Sequence, residues 1–485
     1  MNPTMLSTPT ASPSKSITTS TPTANPSASP SIYSTTTSTS NPTMASSVTE
    51  PTTFPSNKPT ATTTQPTARP TFVIGDLSVT LPELGIKICT GMTARVIAKA
   101  NQYITFNGTT TTNSDIKFHS MADAADIFST DDDGGYVYVS NSEMSNGNGG
   151  VYGIYFNKDG QIINYKRLLH GTSRNCGSGR TPWDTFISCE EYANGQCWQV
   201  DPLDIVPPEI TKLGGSGGNY ESVAVDNRNS SRPVFYITED HEYGALRRYI
   251  PPPPSTMNNW ATLNTLGGTR DYLVFLNSTH FGWTLDKPAA QTSSATYYPN
   301  TEGIDCINGM LYFVSKVKYK VFVLDIDSGT YTSFITNGGT IPGGGSFSSQ
   351  PDQLYHNGDY TYFTEDGGRT PGVYAIHKSS GIKHAIFEAS FEVYSNDETT
   401  GLAFSPDNTR MYVALQDCKA TSLVLPLGIG QLCTSSIDCG CLFELRRTDG
   451  QTFDGQMMSL KFHHSQQLDT ATTTQGVSTP TALFH

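Results

Sequence analysis

The sequence is poor in charged residues and has no long apolar run. Only 15% of its 485 residues are charged, and 43 Asp and Glu outnumber 30 Lys and Arg, for a formal net charge of −13. Because proteins that bind the nucleic-acid backbone present a basic surface, this balance excludes nucleic acid as the expected partner. No stretch approaches the roughly 18 consecutive apolar residues of a membrane-spanning helix, so we expect no transmembrane segment.

Motifs of several enzyme classes are also missing. The sequence has no H-E-x-x-H zinc motif, and its histidines are scattered without metal-ligand spacing. The glycine-rich segments 214–218 and 343–345 lack the lysine and the strand-to-helix context of a phosphate-binding Walker loop. Zinc proteases of this kind and P-loop nucleotide-binding proteins are therefore not expected.

Composition divides the chain into three parts. Residues 1–72 are mostly Ser, Thr and Pro, and such a segment cannot bury enough apolar surface to offset its conformational entropy. The segment that follows is rich in aromatic residues and glycine, and it is long enough for a large domain built from repeats. We therefore predict a disordered tail over 1–72, a folded domain over 73–463 and a disordered C-terminal tail over 464–485.

A repeated pattern runs through the folded segment. A short run rich in Tyr, Phe, Val and Ile ends in a polar or acidic residue, and a loop leads to a second run of the same kind. A period of about 50 residues is typical of a four-stranded propeller blade, so the sequence predicts an all-β, six-bladed β-propeller. We expect residues 73–114 and 421–463 to complete its first and last blades. Intervals of 48, 50, 77, 49 and 51 residues separate the equivalent positions Ser140, Ser188, Thr238, Ser315, Thr364 and Leu415.

Most of these runs follow a strand that begins with an acidic residue and closes with a Gly, Asn or Asp turn. In such a hairpin the start of the first strand and the end of the second lie together, so the acidic side chains converge on one mouth of the central channel. Like charges this close must be neutralised, and carboxylate oxygens favour hard cations such as Ca²⁺. The sequence therefore predicts a polynuclear metal site at a mouth lined by Asp126, Glu143, Glu190, Glu191, Glu221, Glu239, Asp240, Glu302, Asp352, Glu365, Asp366 and Glu398.

The most specific motif lies in the second repeat. Asn175-Cys176, Thr181-Pro182-Trp183 and Cys189-Glu190-Glu191 follow one another within 17 residues. This segment resembles the NC-x-G-G-x-TPW-G-T…CEE segment of the PhoX-type alkaline phosphatase family, also described as a domain of unknown function. The runs SNSE, YESVAVD, ITED, TEGID, FTEDGG and GLAFSPD follow the family's order, so the resemblance covers about residues 115–420.

The resemblance implies a six-bladed propeller that hydrolyses small phosphate monoesters with an iron and calcium cluster, Fe³⁺ and Ca²⁺, in its channel mouth. Bound cations would reverse the negative field of the mouth and admit a phosphate dianion. Arg369, or else Arg180, would add hydrogen bonds to the phosphoryl oxygens. The resemblance implies that Cys176 is the thiolate on iron and that Glu221 and Glu365 are carboxylate ligands shared within the cluster. It places Glu143, Glu190, Glu191, Glu239 and Glu302 at the calcium positions.

The sequence departs from the family pattern at three positions. Ser142 and Tyr220 stand where the family has histidine, and Asp184 stands where it has glycine. These differences concern catalysis more than the fold. An alternative role also exists for Cys176, which could form a disulfide with Cys189 or Cys197 instead of binding metal.

Three sequons and the Ser/Thr/Pro tail favour a secreted or cell-surface glycoprotein, for which we expect a monomer. The polar N-terminus lacks the apolar region of a signal peptide, which leaves a cytoplasmic location as the alternative. The predicted glycosylation sites are Asn107, Asn229 and Asn277.

Two other functions suit a propeller with this composition. One is a calcium-dependent lactonase or esterase, which needs a single calcium, no iron and no role for Cys176. The other is a non-catalytic, calcium-stabilised binding module at the cell surface. Metal content and turnover separate both from a phosphatase.

Overall fold

The computed structural model of the chain describes residues 72–108, 111–130, 134–253, 260–338, 341–390, 394, 396–416 and 440–454. The tails predicted over 1–72 and 464–485 lie outside the described residues, apart from Phe72. The chain enters the described part through five short strands: β1 (Val79–Leu81), β2 (Ile86–Ile88), β3 (Met92–Lys99), β4 (Tyr103–Asn107) and β5 (Thr111–Lys117).

The strands that follow pair into antiparallel units of four, which we number 1 to 6. Unit 1 contains β6 (Ala122–Ser129), β7 (Tyr136–Ser142), β8 (Gly149–Phe156) and β9 (Ile162–Thr172). Unit 2 contains β10 (Asn175–Arg180), β11 (Phe186–Tyr192), β12 (Cys197–Val200) and β13 (Glu209–Ile210). Unit 3 contains β14 (Gly218–Asp226), β15 (Val234–Glu239), β16 (Arg247–Ile250) and β17 (Thr269–Phe275), with β18 (Phe281–Thr284) at its edge.

The second half of the chain repeats the arrangement. Unit 4 contains β19 (Thr301–Ile307), β20 (Met310–Ser315), β21 (Lys320–Asp325) and β22 (Thr330–Ile335). Unit 5 contains β23 (Gln350–Asn357), β24 (Tyr360–Asp366), β25 (Gly372–His377) and β26 (Lys383–Ala389). Unit 6 contains β27 (Thr399–Phe404), β28 (Arg410–Leu415) and β29 (Cys441–Arg447), and β3 adds its fourth strand.

The repeated runs form strands because they place aromatic and β-branched residues where both faces of the sheet are covered. Every residue of β7 and of β28 is buried. Shared apolar clusters join neighbouring units: Val137 packs with Phe186 between units 1 and 2, and Tyr412 packs with Tyr136 between units 6 and 1. Burial of these side chains against the next unit holds the units side by side.

The first strands of the units surround a central channel. Each contacts the first strand of the next unit, and β27 of unit 6 contacts β6 of unit 1. All six line one cavity of about 120 Å³. The prediction of an all-β propeller is confirmed.

The two ends of the described chain complete unit 6, as expected for the last blade, but they do not complete unit 1. Unit 1 is complete from β6 to β9, so the N-terminal segment does not enter it. Instead β3 pairs with β29 across the two ends of the chain, and β1 and β2 extend unit 5 beyond β26. The long repeat interval contains β17, β18 and the helix α1 (Lys287–Tyr297). Asp286 caps the N-terminus of this helix, since its side chain accepts a hydrogen bond from Ala289 N. No helix of the described residues is long and apolar enough to cross a membrane.

Candidate metal centre

A β-bulge recurs at the same place in the first strand of every unit. The pairing with the second strand shifts after Ala122, Asn175, Tyr220, Thr301, Pro351 and Thr400. A bulge breaks strict alternation and re-aims side chains, and bulges are frequent beside functional sites. In the first five units the residue that follows the shift is a potential metal ligand: Asp123, Cys176, Glu221, Glu302 and Asp352.

Two more carboxylates complete the set: Glu143 directly follows β7 of unit 1, and Glu191 lies in β11 of unit 2. Together with the five bulge residues they form what we call the channel cluster. Its ligand atoms fall into three groups, each with all atoms within 4.8 Å of one another. The first group is Asp123, Glu143 and Cys176, the second is Cys176, Glu191 and Glu221, and the third is Glu221, Glu302 and Asp352. Cys176 therefore belongs to the first two groups, and Glu221 belongs to the last two.

The members of the channel cluster are buried or half-buried, and the cluster is short of hydrogen-bond donors. The Cys176 thiol donates to Oε1 of Glu221 at 3.3 Å. The second oxygen of Glu221 and Oδ2 of Asp123 are buried, and neither accepts a hydrogen bond from the described residues. A buried carboxylate oxygen without a partner is costly, so both oxygens favour a cation.

Burial and mutual repulsion raise the pKa values of these groups. Burial, and then the charge of Glu143, raises the pKa of Glu191 to about 8. Burial and the charge of Asp123 raise the pKa of Asp352 to about 7. Burial and the charge of Asp123 also raise the pKa of the Cys176 thiol well above its ordinary value. Without cations, part of the channel cluster therefore retains protons at neutral pH.

Two basic side chains reach the rim of the channel cluster. Arg174 donates to Glu143 at 3.1 and 3.2 Å and also to Glu191. Lys316 lies 2.6 Å from Glu302 and 2.7 Å from Asp240. Two positive charges are too few for six carboxylates and a thiol, so the donor set fits multivalent cations. Carboxylate oxygens suit calcium, and the thiol gives one softer ligand that suits iron.

Three glutamates predicted from sequence as metal ligands face away from the channel cluster. Glu190 accepts from the backbone N–H groups of Ser173 and Gln196 and from the indole of Trp198. Glu365 accepts from the N–H groups of Ser348 and Ser349 and from the Tyr374 hydroxyl.

The third of these is Glu239, whose side chain lies beside Gly218. Burial raises the pKa of Glu239, and the positive charge of Arg247 opposes this rise more than any other charge does. Successive strand residues point to opposite faces. In the pair Glu190-Glu191 it is therefore the second carboxylate that faces the channel, and Asp240, which follows Glu239, reaches Lys316. We leave Glu190, Glu239 and Glu365 out of the proposed ligand set.

The two arginines predicted for catalysis, Arg180 and Arg369, belong to units 2 and 5. Arg180 ends β10, four residues beyond Cys176, where it pairs with Asp184 at 2.7 Å and lies 3.9 Å from Asp126. Arg369 is exposed on the loop after Asp366. Arg174 donates directly to two carboxylates of the channel cluster, Glu143 and Glu191.

The departures from the family pattern are accommodated locally. The Ser142 hydroxyl donates to the carbonyl of Ser120 at 2.8 Å. Tyr220 donates to the carbonyl of Gly214, and the Arg247 guanidinium lies over its ring at 4.8 Å. Asp184 has a positive φ of 59° and pairs with Arg180. None of the three side chains belongs to the channel cluster.

Sequence reasoning missed Asp123 and Arg174. It selected Asp126 in the same strand, but Asp126 lines the channel cavity beyond the bulge, together with Arg180 and Asp305. The available signal was a ligand residue followed by a small one, since Asp123-Ala124 matches Cys176-Gly177, Glu221-Ser222 and Glu302-Gly303. Arg174 carried no signal, because its position relative to Glu143 depends on the pairing of units 1 and 2.

Gly177, in the bulge of β10, lets the first strands of units 2 and 3, β10 and β14, lie close together. A Cβ at Gly177 would lie 2.0 Å from the carbonyl oxygen of Glu221, where backbone must move. We expect Gly177→Ala to lower the free energy of unfolding by about 2 kcal/mol or more, measured by denaturant titration. Gly282→Ala is the control, since its Cβ would meet only the Leu276 side chain at 3.5 Å. Equal effects of the two changes would contradict the close approach.

The three sequon asparagines lie on the surface. Asn107, Asn229 and Asn277 are all exposed. The Oδ1 atom of Asn229 accepts from the Ser231 hydroxyl at 2.8 Å, and that of Asn277 accepts from Thr279 at 3.1 Å. Glycosylation of these sites stays a prediction.

The comparisons with known proteins agree with the motif in unit 2. Residues 161–222 match the family model "Alkaline phosphatase PhoX". This segment contains Cys176, Glu191 and Glu221 of the channel cluster and Arg174 at its rim. No curated protein matches the chain in sequence.

Solved structures share the fold. Pseudomonas fluorescens PhoX, in complex with vanadate, a transition state analogue, aligns with a TM-score of 0.59 at 14% identity, over 79% of this chain and 99% of that one. A Bacteroides thetaiotaomicron protein of unknown function has a TM-score of 0.43 at 10% identity, over 74% and 79%. A putative gluconolactonase has a TM-score of 0.38 at 10% identity, over 73% and 92%. The chain therefore carries a PhoX family segment on the fold of a solved PhoX, which confirms its resemblance to the PhoX-type alkaline phosphatases.

Proposed function

We propose that the chain is a metal-dependent phosphatase that hydrolyses small phosphate monoesters at the channel cluster. The observation that carries the proposal is the buried or half-buried set of one thiol and six carboxylates, with two oxygens that lack hydrogen-bond donors. The PhoX family segment supports the choice of reaction, because it contributes three members of this set.

The ligand set we propose is the channel cluster itself. Overlap of the three groups at Cys176 and Glu221 suits ions that share ligands. We assign iron to the part of the cluster that contains Cys176, because a thiolate is the softer donor. We assign calcium to the group of Glu221, Glu302 and Asp352, which contains only carboxylates. When bound, such ions supply the positive charge that attracts phosphate and stabilises the charge that develops on the transferring phosphoryl group.

The chain's own residues would then bind and orient the ester. Arg174 stands at the solvent edge with 42% of its side chain exposed, against 13% for Glu143 and for Glu191. A guanidinium donates paired hydrogen bonds to phosphate oxygens, so we assign Arg174 this role in place of Arg369 and Arg180. Lys316, 20% exposed, holds Glu302 and Asp240 on the opposite side of the cluster.

Metal analysis and turnover test the proposal together. The full chain is purified from a secretory host, its iron and calcium are measured, and hydrolysis of p-nitrophenyl phosphate is followed with and without a chelator. We expect iron, several calcium ions per chain, and turnover that the chelator abolishes. One calcium with hydrolysis of a lactone would support the lactonase, and calcium without any turnover would support the binding module. Either result would overturn the phosphatase.

A further inference from the structure

The strands β11 and β12 carry two cysteines opposite each other. Cys189 and Cys197 are register partners in this antiparallel pair, and their sulfur atoms lie 3.7 Å apart. Both side chains are fully buried in the apolar cluster between units 2 and 3, beside Ile187 and Phe235. We propose that Cys189 and Cys197 form a disulfide in the mature protein.

The backbone geometry suits such a bond. The neighbouring pair is joined by a hydrogen bond from Glu190 N to Gln196 O at 2.9 Å. In an antiparallel ladder, hydrogen-bonded and non-hydrogen-bonded pairs alternate, so Cys189 and Cys197 occupy a non-hydrogen-bonded pair. Cα atoms in such pairs lie about 4.5 Å apart, inside the range of roughly 4.4 to 6.8 Å that disulfides span. A small rotation of both side chains brings the sulfurs into bonding distance.

The reaction needs an oxidant that a secretory compartment supplies. One thiolate attacks a disulfide of an oxidoreductase, and the second thiolate displaces it from the mixed disulfide. Two S–H bonds are lost, one S–S bond forms, and the oxidant leaves as a dithiol that has received two electrons and two protons. Because both sulfurs are buried in the folded chain, the bond forms during folding.

The bond has a consequence for the channel cluster. Glu191, two residues after Cys189, lies in the same strand, so a clamp between β11 and β12 fixes the strand that presents it. It also removes the two thiols with which Cys176 could otherwise form a disulfide. Cys176 is then the thiol that remains beside Glu221.

A peptide map of the unaltered chain tests the disulfide. The chain is refolded with reduced and oxidised glutathione, denatured, alkylated without reductant and digested with trypsin. Cys189 and Cys197 fall in one peptide, 181–212, and Cys176 falls in another, 175–180. A second protease that cleaves after Glu190 and Glu191 separates Cys189 from Cys197.

We expect peptide 181–212 to be lighter by two hydrogen atoms, to resist alkylation, and to yield two linked fragments after the second cleavage. Cys306→Ser, which removes a cysteine of unit 4, serves as control and keeps the link. Alkylation of both cysteines, or a link from either of them to Cys176, would overturn the proposal. Phosphatase activity is assayed on the same sample, so failure of the disulfide and failure of the proposed function are distinguished.

Discussion

Asp123→Asn is expected to lower kcat/KM for p-nitrophenyl phosphate by about 100-fold or more and to lower the metal content of the purified chain. Gln353 and Thr400 donate to Oδ1 of Asp123 at 2.9 and 2.7 Å, and the amide oxygen of Asn can accept both bonds. The change therefore affects mainly Oδ2, the buried oxygen without a hydrogen-bond partner. Metal content and steady-state kinetics of the variant measure both effects.

Asp126→Asn is the matched control, because it makes the same chemical change three residues later in β6. Asp126 is half-buried, and it lies with Arg180 in the channel cavity beyond the bulge. We expect its kcat/KM to stay within about threefold of the unaltered chain, as for a residue that does not contact the reacting groups. Similar losses in the two variants, or none in Asp123→Asn, would contradict the assignment of the channel cluster.

The metal-free chain is expected to become less stable as pH rises from 5 to 8, opposite to the usual behaviour of buried ion pairs. In the folded chain burial raises the pKa of Asp352 to about 7 and that of Glu191 to about 8. In the unfolded chain such carboxyls titrate near pH 4, so the folded state binds more protons between these values. The stability from retained protons is complete below about pH 4 and is lost as pH passes 7 to 8.

Thermal unfolding of chelated and desalted protein measures this effect. We expect Tm to fall by about 5 °C or more between pH 5 and pH 8. Calcium added at pH 8 restores Tm, because the cation takes the place of the protons. Asp352→Asn, which mimics the protonated side chain, makes the metal-free protein less sensitive to pH. A Tm of metal-free protein that stays level or rises over this interval would count against the crowded carboxylates.

The repeat could be recognised from local composition, because the same run of aromatic and β-branched residues returns about every 50 residues. The runs at 136–143 and 411–417 correspond to β7 and β28, the second strands of units 1 and 6. The pairing of β3 with β29 that completes unit 6 could not be predicted from local sequence, since these strands lie more than 300 residues apart in the chain. Nothing local to either strand indicates its partner.

The acidic end of the channel was predictable as a region, but the individual ligands were not. Sequence placed Glu190 and Glu191 there together, and alternation along a strand allows only one of them to face the channel. Which one depends on the pairing register, which long-range contacts fix. The bulge adds a further shift within β6, so Asp123 joins the channel cluster while Asp126 does not.

The sequence by itself determined that this protein is an all-β repeat with PhoX-like segments and with carboxylates at the ends of its strands. Periodicity, turn residues and the Cys176 motif are local properties, so they can be recognised in the amino-acid sequence alone. Only the tertiary structure decided that Asp123 and Arg174 lie at the cluster and that Glu190, Glu239 and Glu365 turn away from it. The physical reason is that a side chain's direction follows from strand register and bulges, and these are set by pairing between segments distant in sequence.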